Sequence, residues 1–266
     1  MVGSSVTSNG GGDAGRWLAA DRGGLWSRAT VTDVVPDPSG ATTLRLRLPE
    51  TPQLLAGQYY LVRLAVDTSP GAVEQAYSVS SSPYPPTREI DITVREVPGG
   101  RASRLLARRV RTGDLLHVRG PFGDLTWTEA DGGPLVLVGA GTGVAPLLSI
   151  VRYAAARGSA MSMTLLCSSR DGASVLLRSA LDELAEREPW LSVVHTFTRS
   201  ADDGSARYHR RVDAPMIAEV AGEMGGAALV DMSFFVAGPT DMVSTVRDAI
   251  SSLGVADARI QTELHA

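Results

Sequence analysis

The chain has 266 residues, 44% of them hydrophobic and 20% charged, which leaves room for two domains with sizeable cores. Its net charge of −4 argues against a nucleic acid or a membrane surface as partner of the whole chain, and its 25 basic residues are all Arg, which reads as a composition bias and not as chemistry. The single cysteine, Cys167, rules out an internal disulfide and an iron–sulfur cluster carried by this chain, which would take about four thiolates.

No run of about 18 apolar residues is present, and the N-terminus lacks a basic segment followed by an apolar stretch. No transmembrane helix or secretory signal is therefore expected, and a cytoplasmic monomer is. The histidines are scattered without ligand spacing, so no metal is expected.

Residues 1–24 are rich in Gly and Ser and are expected to be a disordered N-terminal segment, with Trp17 and Leu18 either incidental or packed on the neighbouring domain. From 25 to 130 the pattern is that of short strands. Leu44, Leu46 and Leu48 alternate with Thr43, Arg45 and Arg47, and Ile90, Ile92 and Val94 alternate with Asp91, Thr93 and Arg95. Turn residues fall at 36–40, 69–71, 83–86 and 98–100. Many short half-buried strands at this spacing predict a small antiparallel β-barrel.

From 131 to 266 the pattern changes, with the boundary at Asp131-Gly132-Gly133. Leu135-Val136-Leu137-Val138 reads as a strand buried on both faces. A helix follows through Val144, Leu147, Leu148 and Val151, and Gly158 can end it. Further strands are predicted at 163–167, 193–197 and 234–236, with helices through Leu177, Leu181 and Leu184 and over 242–253. Strand–helix alternation predicts an α/β domain built on a mostly parallel sheet.

Gly139-Ala140-Gly141-Thr142-Gly143-Val144-Ala145-Pro146 joins a buried strand to a helix. Glycines permit a tight turn and a close ligand approach, the helix start offers free N–H groups to phosphate, and Pro146 suits a first turn. The alternative is a plain structural turn, but the strand–turn–helix context favours nucleotide binding.

This segment resembles the nicotinamide-side loop of the ferredoxin–NADP reductase superfamily. Four other segments resemble that family's motifs in the same order: Gln75-Ala76-Tyr77-Ser78, Val94-Arg95 through Gly100-Arg101-Ala102-Ser103, Gly120-Pro121-Phe122-Gly123, and Ala237-Gly238-Pro239. The resemblance implies a flavin-binding barrel, FAD as cofactor, and NADPH or NADH as electron donor. It places Tyr77 against the isoalloxazine, Ser78 near the atom that receives hydride, and Thr142 beside the nicotinamide. Gln75, Ala76, Val94, Arg95, Gly100, Arg101, Ala102 and Ser103 would hold the flavin. Gly141, Gly143, Pro146, Ala237, Gly238 and Pro239 would meet the nucleotide, with the two loop glycines leaving its approach open. Read alone, Tyr77 could as well be a core aromatic, and Ser103 could simply cap a short helix over 103–109.

Gln75 stands where the family has Arg, which loses a charge on the flavin phosphate that Arg95 or Arg101 could restore. Ala237 replaces the family's Cys. The family's covering aromatic has one counterpart here, His265, either stacked on flavin or exposed. Arg170 and Arg199 would clamp a 2′-phosphate and favour NADPH, or are solvated loop residues. Arg95, Arg101, Arg104, Arg108, Arg109, Arg111 and Arg119 crowd one stretch against only Glu96 and Asp114, as a docking face for an acidic electron carrier or as a solvated helix face.

The leading expectation is an oxidoreductase passing electrons from NAD(P)H through FAD to a separate ferredoxin or oxygenase component. The alternatives are a flavin or quinone reductase acting on a small molecule, and a non-catalytic module that kept the fold.

Overall fold

The computed structural model describes residues 25–65, 72–199, 204–225 and 227–265. The N-terminal segment 1–24 and the predicted turn at 69–71 lie outside the described residues.

Six strands form one antiparallel sheet: β1 (Ser27–Pro36), β2 (Ala41–Arg47), β3 (Tyr59–Ala65), β4 (Ala72–Ser78), β5 (Glu89–Arg95) and β6 (Leu115–Phe122), in the order β4-β3-β6-β1-β2-β5. A bridge between Val79 and Ile92 joins the two edges, so the sheet closes into a barrel and leaves no open edge there. The period-two residues of the sequence point inward: Leu44, Leu46, Val62, Leu64, Ile90, Ile92, Leu116 and Val118 are buried in one core. Each fully buried aliphatic side chain contributes about 1.5–3 kcal/mol, which fixes the register of every strand. Helix α1 (Arg101–Arg108) plugs this core with Ala102 and Leu106.

Five parallel strands make the second sheet: β7 (Leu135–Ala140), β8 (Met163–Ser169), β9 (Leu191–Phe197), β10 (Ser233–Gly238) and β11 (Ile260–Leu264), in the order β11-β10-β7-β8-β9. Helices α2 (Val144–Arg157) and α3 (Arg178–Arg187) cover one face over Leu135, Leu137 and Leu165. Helices α4 (Ala214–Gly222) and α5 (Thr240–Ser252) cover the other over Val136, Val138 and Phe234. Continuous apolar strands serve a sheet buried on both sides. Leu125 and Trp127, just past the barrel's last strand, pack into the first of these cores, where Trp127 Nε1 donates to the Gly132 carbonyl at 2.8 Å.

Two elements escape the sequence patterns. Helix α4 is mostly apolar and short, and its visible signal is Asp213 followed by Ala-Pro: Asp213 Oδ1 accepts from Met216 N at 2.9 Å. Strand β11 alternates Ile260, Gln261, Thr262, Glu263 and Leu264 with one apolar side only. Helix α1 also starts earlier than expected, at Arg101, with Gly100 at its cap position. Ser103 is not the cap; its Oγ accepts from Val97 N at 3.2 Å and ties the preceding turn to the helix. Among the described residues no helix is long and apolar enough to cross a membrane.

Candidate active site

A cleft of about 500 Å³ opens between the two sheets, lined from the barrel by Gln75, Ala76, Tyr77, Ser78, Thr93, Arg95, Gly100, Arg101, Ala102 and Ser103, and from the α/β domain by Thr142, Ala145, Glu263, Leu264 and His265. Strand β4 ends in it. Tyr77 pairs with Tyr60 of β3 and is 9% exposed, and its hydroxyl has no hydrogen-bond partner among the described residues. Burial raises the Tyr77 phenol pKa far above its ordinary value, so the hydroxyl stays a neutral donor.

Ser78 begins a hydrogen-bonded chain across the cleft. Its Oγ donates to Glu263 Oε1 at 3.0 Å; the same oxygen meets His265 Nε2 at 2.8 Å, and His265 Nδ1 meets Thr142 Oγ1 at 3.2 Å. An Nε2–H tautomer satisfies this pattern, since Nδ1 can then accept from the Thr142 hydroxyl. Alternation along β11 puts Glu263 and His265 on one side, and the His265 amide donates to the Gly238 carbonyl at 2.8 Å, which continues the pairing with β10. Glu263 is the polar residue of this hydrogen-bonded chain that sequence reasoning missed, as it also missed Thr93, Ala145 and Leu264 in the lining. Its signal was the alternation of the last strand together with its position two residues before His265.

Arg95 enters the cleft from β5. Its Nη2 donates to the Ser174 carbonyl of the α/β domain at 2.9 Å, while its buried Nε has no partner. Burial first, and the charge of Arg170 second, lower its pKa. A buried guanidinium with an unspent donor favours an anion. Helix α1 starts at Gly100, and its first residues, Arg101, Ala102 and Ser103, also line the cleft. A flat buried aromatic with a free hydroxyl, an unsatisfied guanidinium and a helix start fit an aromatic cofactor bearing phosphate.

Other expected residues lie elsewhere. Val94 is wholly buried in the barrel core, and its neighbour Thr93 lines the cleft instead. Pro146 and Ala237 are buried among the side chains of the α/β domain, and Pro239 is exposed ahead of α5. Gly141 has φ +56°, a left-handed turn that favours glycine. Gly143 was expected to leave room for a nucleotide, but its own chain needs the space: a Cβ there would sit 2.1 Å from the Ala237 carbonyl oxygen and 2.6 Å from Gly238 N. The loop after β7 thus lies directly on β10. Arg170 and Arg199 are both exposed and are brought together by a bond from Arg199 N to the Arg170 carbonyl at 3.0 Å. In the nearby carboxylate Asp171, Oδ1 accepts from Ser174 N at 2.8 Å and from Ser174 Oγ at 2.6 Å. Within the basic stretch, Arg104 and Arg108 both pair with Glu96, and Arg111 Nη1 donates to the carbonyls of Arg108 and Val110.

Family comparison agrees with this division. Residues 33–127 match the oxidoreductase FAD-binding domain and residues 137–248 match the oxidoreductase NAD-binding domain. A flavohemoprotein of Bordetella pertussis is 30% identical over 258 residues, covering 92% of this chain and 63% of that protein. The ferredoxin reductase component of 3-ketosteroid-9-alpha-monooxygenase from Mycobacterium tuberculosis is 31% identical over 209 residues, covering 78% of this chain and 54% of that one. The chain thus spans less than two thirds of the length of these curated relatives. Among solved structures, the Amycolatopsis cytochrome P450 reductase superposes with a TM-score of 0.77 at 28% identity, over 90% of this chain and 69% of that one. From its two matched domains and the cleft between them, the chain belongs to the ferredoxin–NADP reductase superfamily.

Proposed function

We propose that this chain takes hydride from NADPH onto FAD and passes the electrons to a separate protein acceptor of the ferredoxin or oxygenase-component kind, with residues 25–130 holding the flavin and 131–266 the nucleotide. The observation that carries this reading is the facing of Tyr77 and Ser78, from the barrel, with Thr142, from the loop after β7, across one cleft. Bound FAD would accept two electrons as hydride and release them singly, which a one-electron protein acceptor requires.

The chain's own contribution is placement. Tyr77 supplies a flat face and a hydroxyl donor. Arg95, with the N–H groups of Arg101, Ala102 and Ser103, holds the phosphates and makes up for the charge missing at Gln75. Ser78, Glu263, His265 and Thr142 form the wall where the two rings would meet. Glu263 accepts from Ser78 and from His265, so it keeps both side chains oriented. Arg170 and Arg199, on strand ends joined by a main-chain bond, would meet a 2′-phosphate. The protein acceptor is supported by relatives named as ferredoxin reductase component and as cytochrome P450 reductase.

The test is an anaerobic titration of the purified, FAD-loaded chain with NADPH and with NADH, followed by addition of a ferredoxin or of free flavin. Bleaching of the flavin by NADPH, with faster reoxidation by the ferredoxin, is expected. A chain that takes up no FAD, or whose flavin neither nucleotide reduces, would remove the proposal.

A further inference from the structure

Helix α2 starts at the loop that carries Thr142 and touches the barrel at several residues along its length. One side of it is fastened to the segment that follows β4. Ser149 Oγ donates to the Ser81 carbonyl at 2.7 Å, and Arg152 Nη1 donates to the Ser80 carbonyl at 2.7 Å. Further along, the Arg157 guanidinium lies 4.7 Å from the Tyr84 ring centroid. Positions 149 and 152 are one turn apart on a single helix face, and the carbonyls they reach are consecutive.

The receiving segment is itself rigid. Ser80 N donates to the Asp91 carbonyl at 2.8 Å, Asp91 N donates to Ser81 Oγ at 3.0 Å, and Ser80 Oγ lies 3.1 Å from Thr93 Oγ1. Ser78, two residues before Ser80, lines the cleft. The contact therefore ties one wall of the cleft to the helix whose first turn follows the other. Neither Ser149 nor Arg152 lines the cleft, so neither bond stands where a nucleotide would enter it. The chain across the cleft through His265 and Glu263 has no such protection.

We propose that Arg152 is a positioning residue: its bond to Ser80, backed by Ser149 on Ser81, sets the placement of the Thr142 loop against Ser78 and hence of nicotinamide against flavin. The role rests on the reading of the cleft as the meeting place of those two rings. They would be held by different domains, so their separation is fixed only by what couples the domains. Hydride transfer needs the reacting atoms within about 3–3.5 Å, and a misplacement of about 1 Å costs on the order of a hundredfold in rate. Packing alone would be served by an apolar side chain here, as Leu148 and Val151 serve on the same helix. Arg152 is half-buried, and a guanidinium drawn partly out of water is costly unless it is bonded; this one makes its bond across the domain boundary.

The experiment compares wild type, Arg152→Met, Arg152→Lys and Ser149→Ala as full chains loaded with FAD. Stopped-flow flavin reduction over a series of NADPH concentrations separates the saturating rate from the apparent affinity. Long-wavelength absorbance reads stacking of nicotinamide on flavin, and amide hydrogen exchange reads the 78–84 segment. Arg152→Met is expected to keep its flavin and its affinity for NADPH. Its saturating rate should fall by about tenfold or more, its stacking absorbance should weaken, and exchange in 78–84 should quicken. Arg152→Lys should recover part of the rate, and Ser149→Ala should lose less in the same direction. A wild-type saturating rate in Arg152→Met, or a loss confined to affinity or melting temperature, overturns the role. If Arg152→Met does not hold flavin, wild-type saturating rates in both other variants overturn it. If wild-type flavin is reduced by neither NADPH nor NADH, the oxidoreductase assignment falls and the positioning role with it. Reduction in wild type with unaltered variants removes the positioning role alone.

Discussion

Tyr77→Phe should move two quantities in opposite directions. Tyr77 is 9% exposed and its hydroxyl meets no partner among the described residues. A buried hydroxyl left unsatisfied costs about 1–3 kcal/mol, and the Phe variant sheds that cost while keeping the ring. The flavin-free variant is therefore expected to be as stable as wild type or up to about 3 kcal/mol more stable. If the hydroxyl donates to bound flavin, its loss removes a hydrogen bond worth about 0.5–1.5 kcal/mol, or roughly 2- to 12-fold in Kd. Tyr77→Ala also deletes the stacking face, and should weaken retention by a further amount on the order of 1 kcal/mol or more. The assay is a pair of measurements on one preparation: urea melts of the apoprotein, and FAD titration by quenching of flavin fluorescence. The reasoning is refuted by a Phe apoprotein more than about 1 kcal/mol less stable than wild type, since removal of an unpaired group would then have to be harmful. It is also refuted by an unchanged Kd, since the hydroxyl would then be aimed at nothing.

Gly143→Ala should destabilise the α/β domain by about 1–3 kcal/mol or more, because the new methyl overlaps the Ala237 carbonyl at 2.1 Å; Gly141→Ala, whose Cβ meets nothing nearer than Arg95 Nη1 at 3.8 Å, should cost only the left-handed backbone penalty of about 1–2 kcal/mol. Thermal melts of the two variants should rank in that order, and equal melting temperatures would contradict the packing of this loop on β10. Removing Arg170 and Arg199 together should cost about tenfold or more in preference for NADPH over NADH, read from kcat/KM with each nucleotide; an NADH preference already present in wild type and untouched by the changes would end the 2′-phosphate assignment. Asp213→Ala should cost about 1 kcal/mol through loss of the α4 cap. The bond from Arg210, and then that from Met216 N, hold the Asp213 carboxyl below its ordinary range, so its contribution is full at neutral pH and is lost as pH falls through the native value; a variant with the same acid-unfolding midpoint as wild type would contradict this.

The fold was largely legible because its signals are local. Period-two alternation over residues 43–48 and 90–95 announces half-buried strands without reference to anything distant, and the run Leu135–Val138 announces a sheet covered on both sides. The barrel side of the cleft came into view through the family resemblance and not through periodicity: Gln75 through Ser78 and Arg95 through Ser103 are contiguous, so a short motif carries several lining residues at once. What stayed hidden depends on contacts between distant segments. Glu263 reads as an exposed strand residue until β11 is laid beside β10, which brings it to Ser78 across 185 positions of sequence. Gly143 carries the opposite lesson. In a glycine-rich turn, room for a ligand and room for the chain itself leave the same mark on the sequence, and the 2.1 Å approach to Ala237 decides for the chain.

Arg152 shows why the coupling of the two domains could not be read at all. It lies in a helix whose apolar periodicity is set by Leu147, Leu148 and Val151, where a lone Arg ordinarily marks the solvent face. Its partner is a main-chain carbonyl, and a carbonyl has no residue identity to recognise. Side chains that bind a cofactor are constrained in type, because stacking needs a ring and phosphate needs a donor. Side chains that set one domain against another need only length and a donor in the right place, so they leave no motif. Domain placement thus carries the distance on which hydride transfer depends most steeply, while being the part of the site that sequence encodes most weakly.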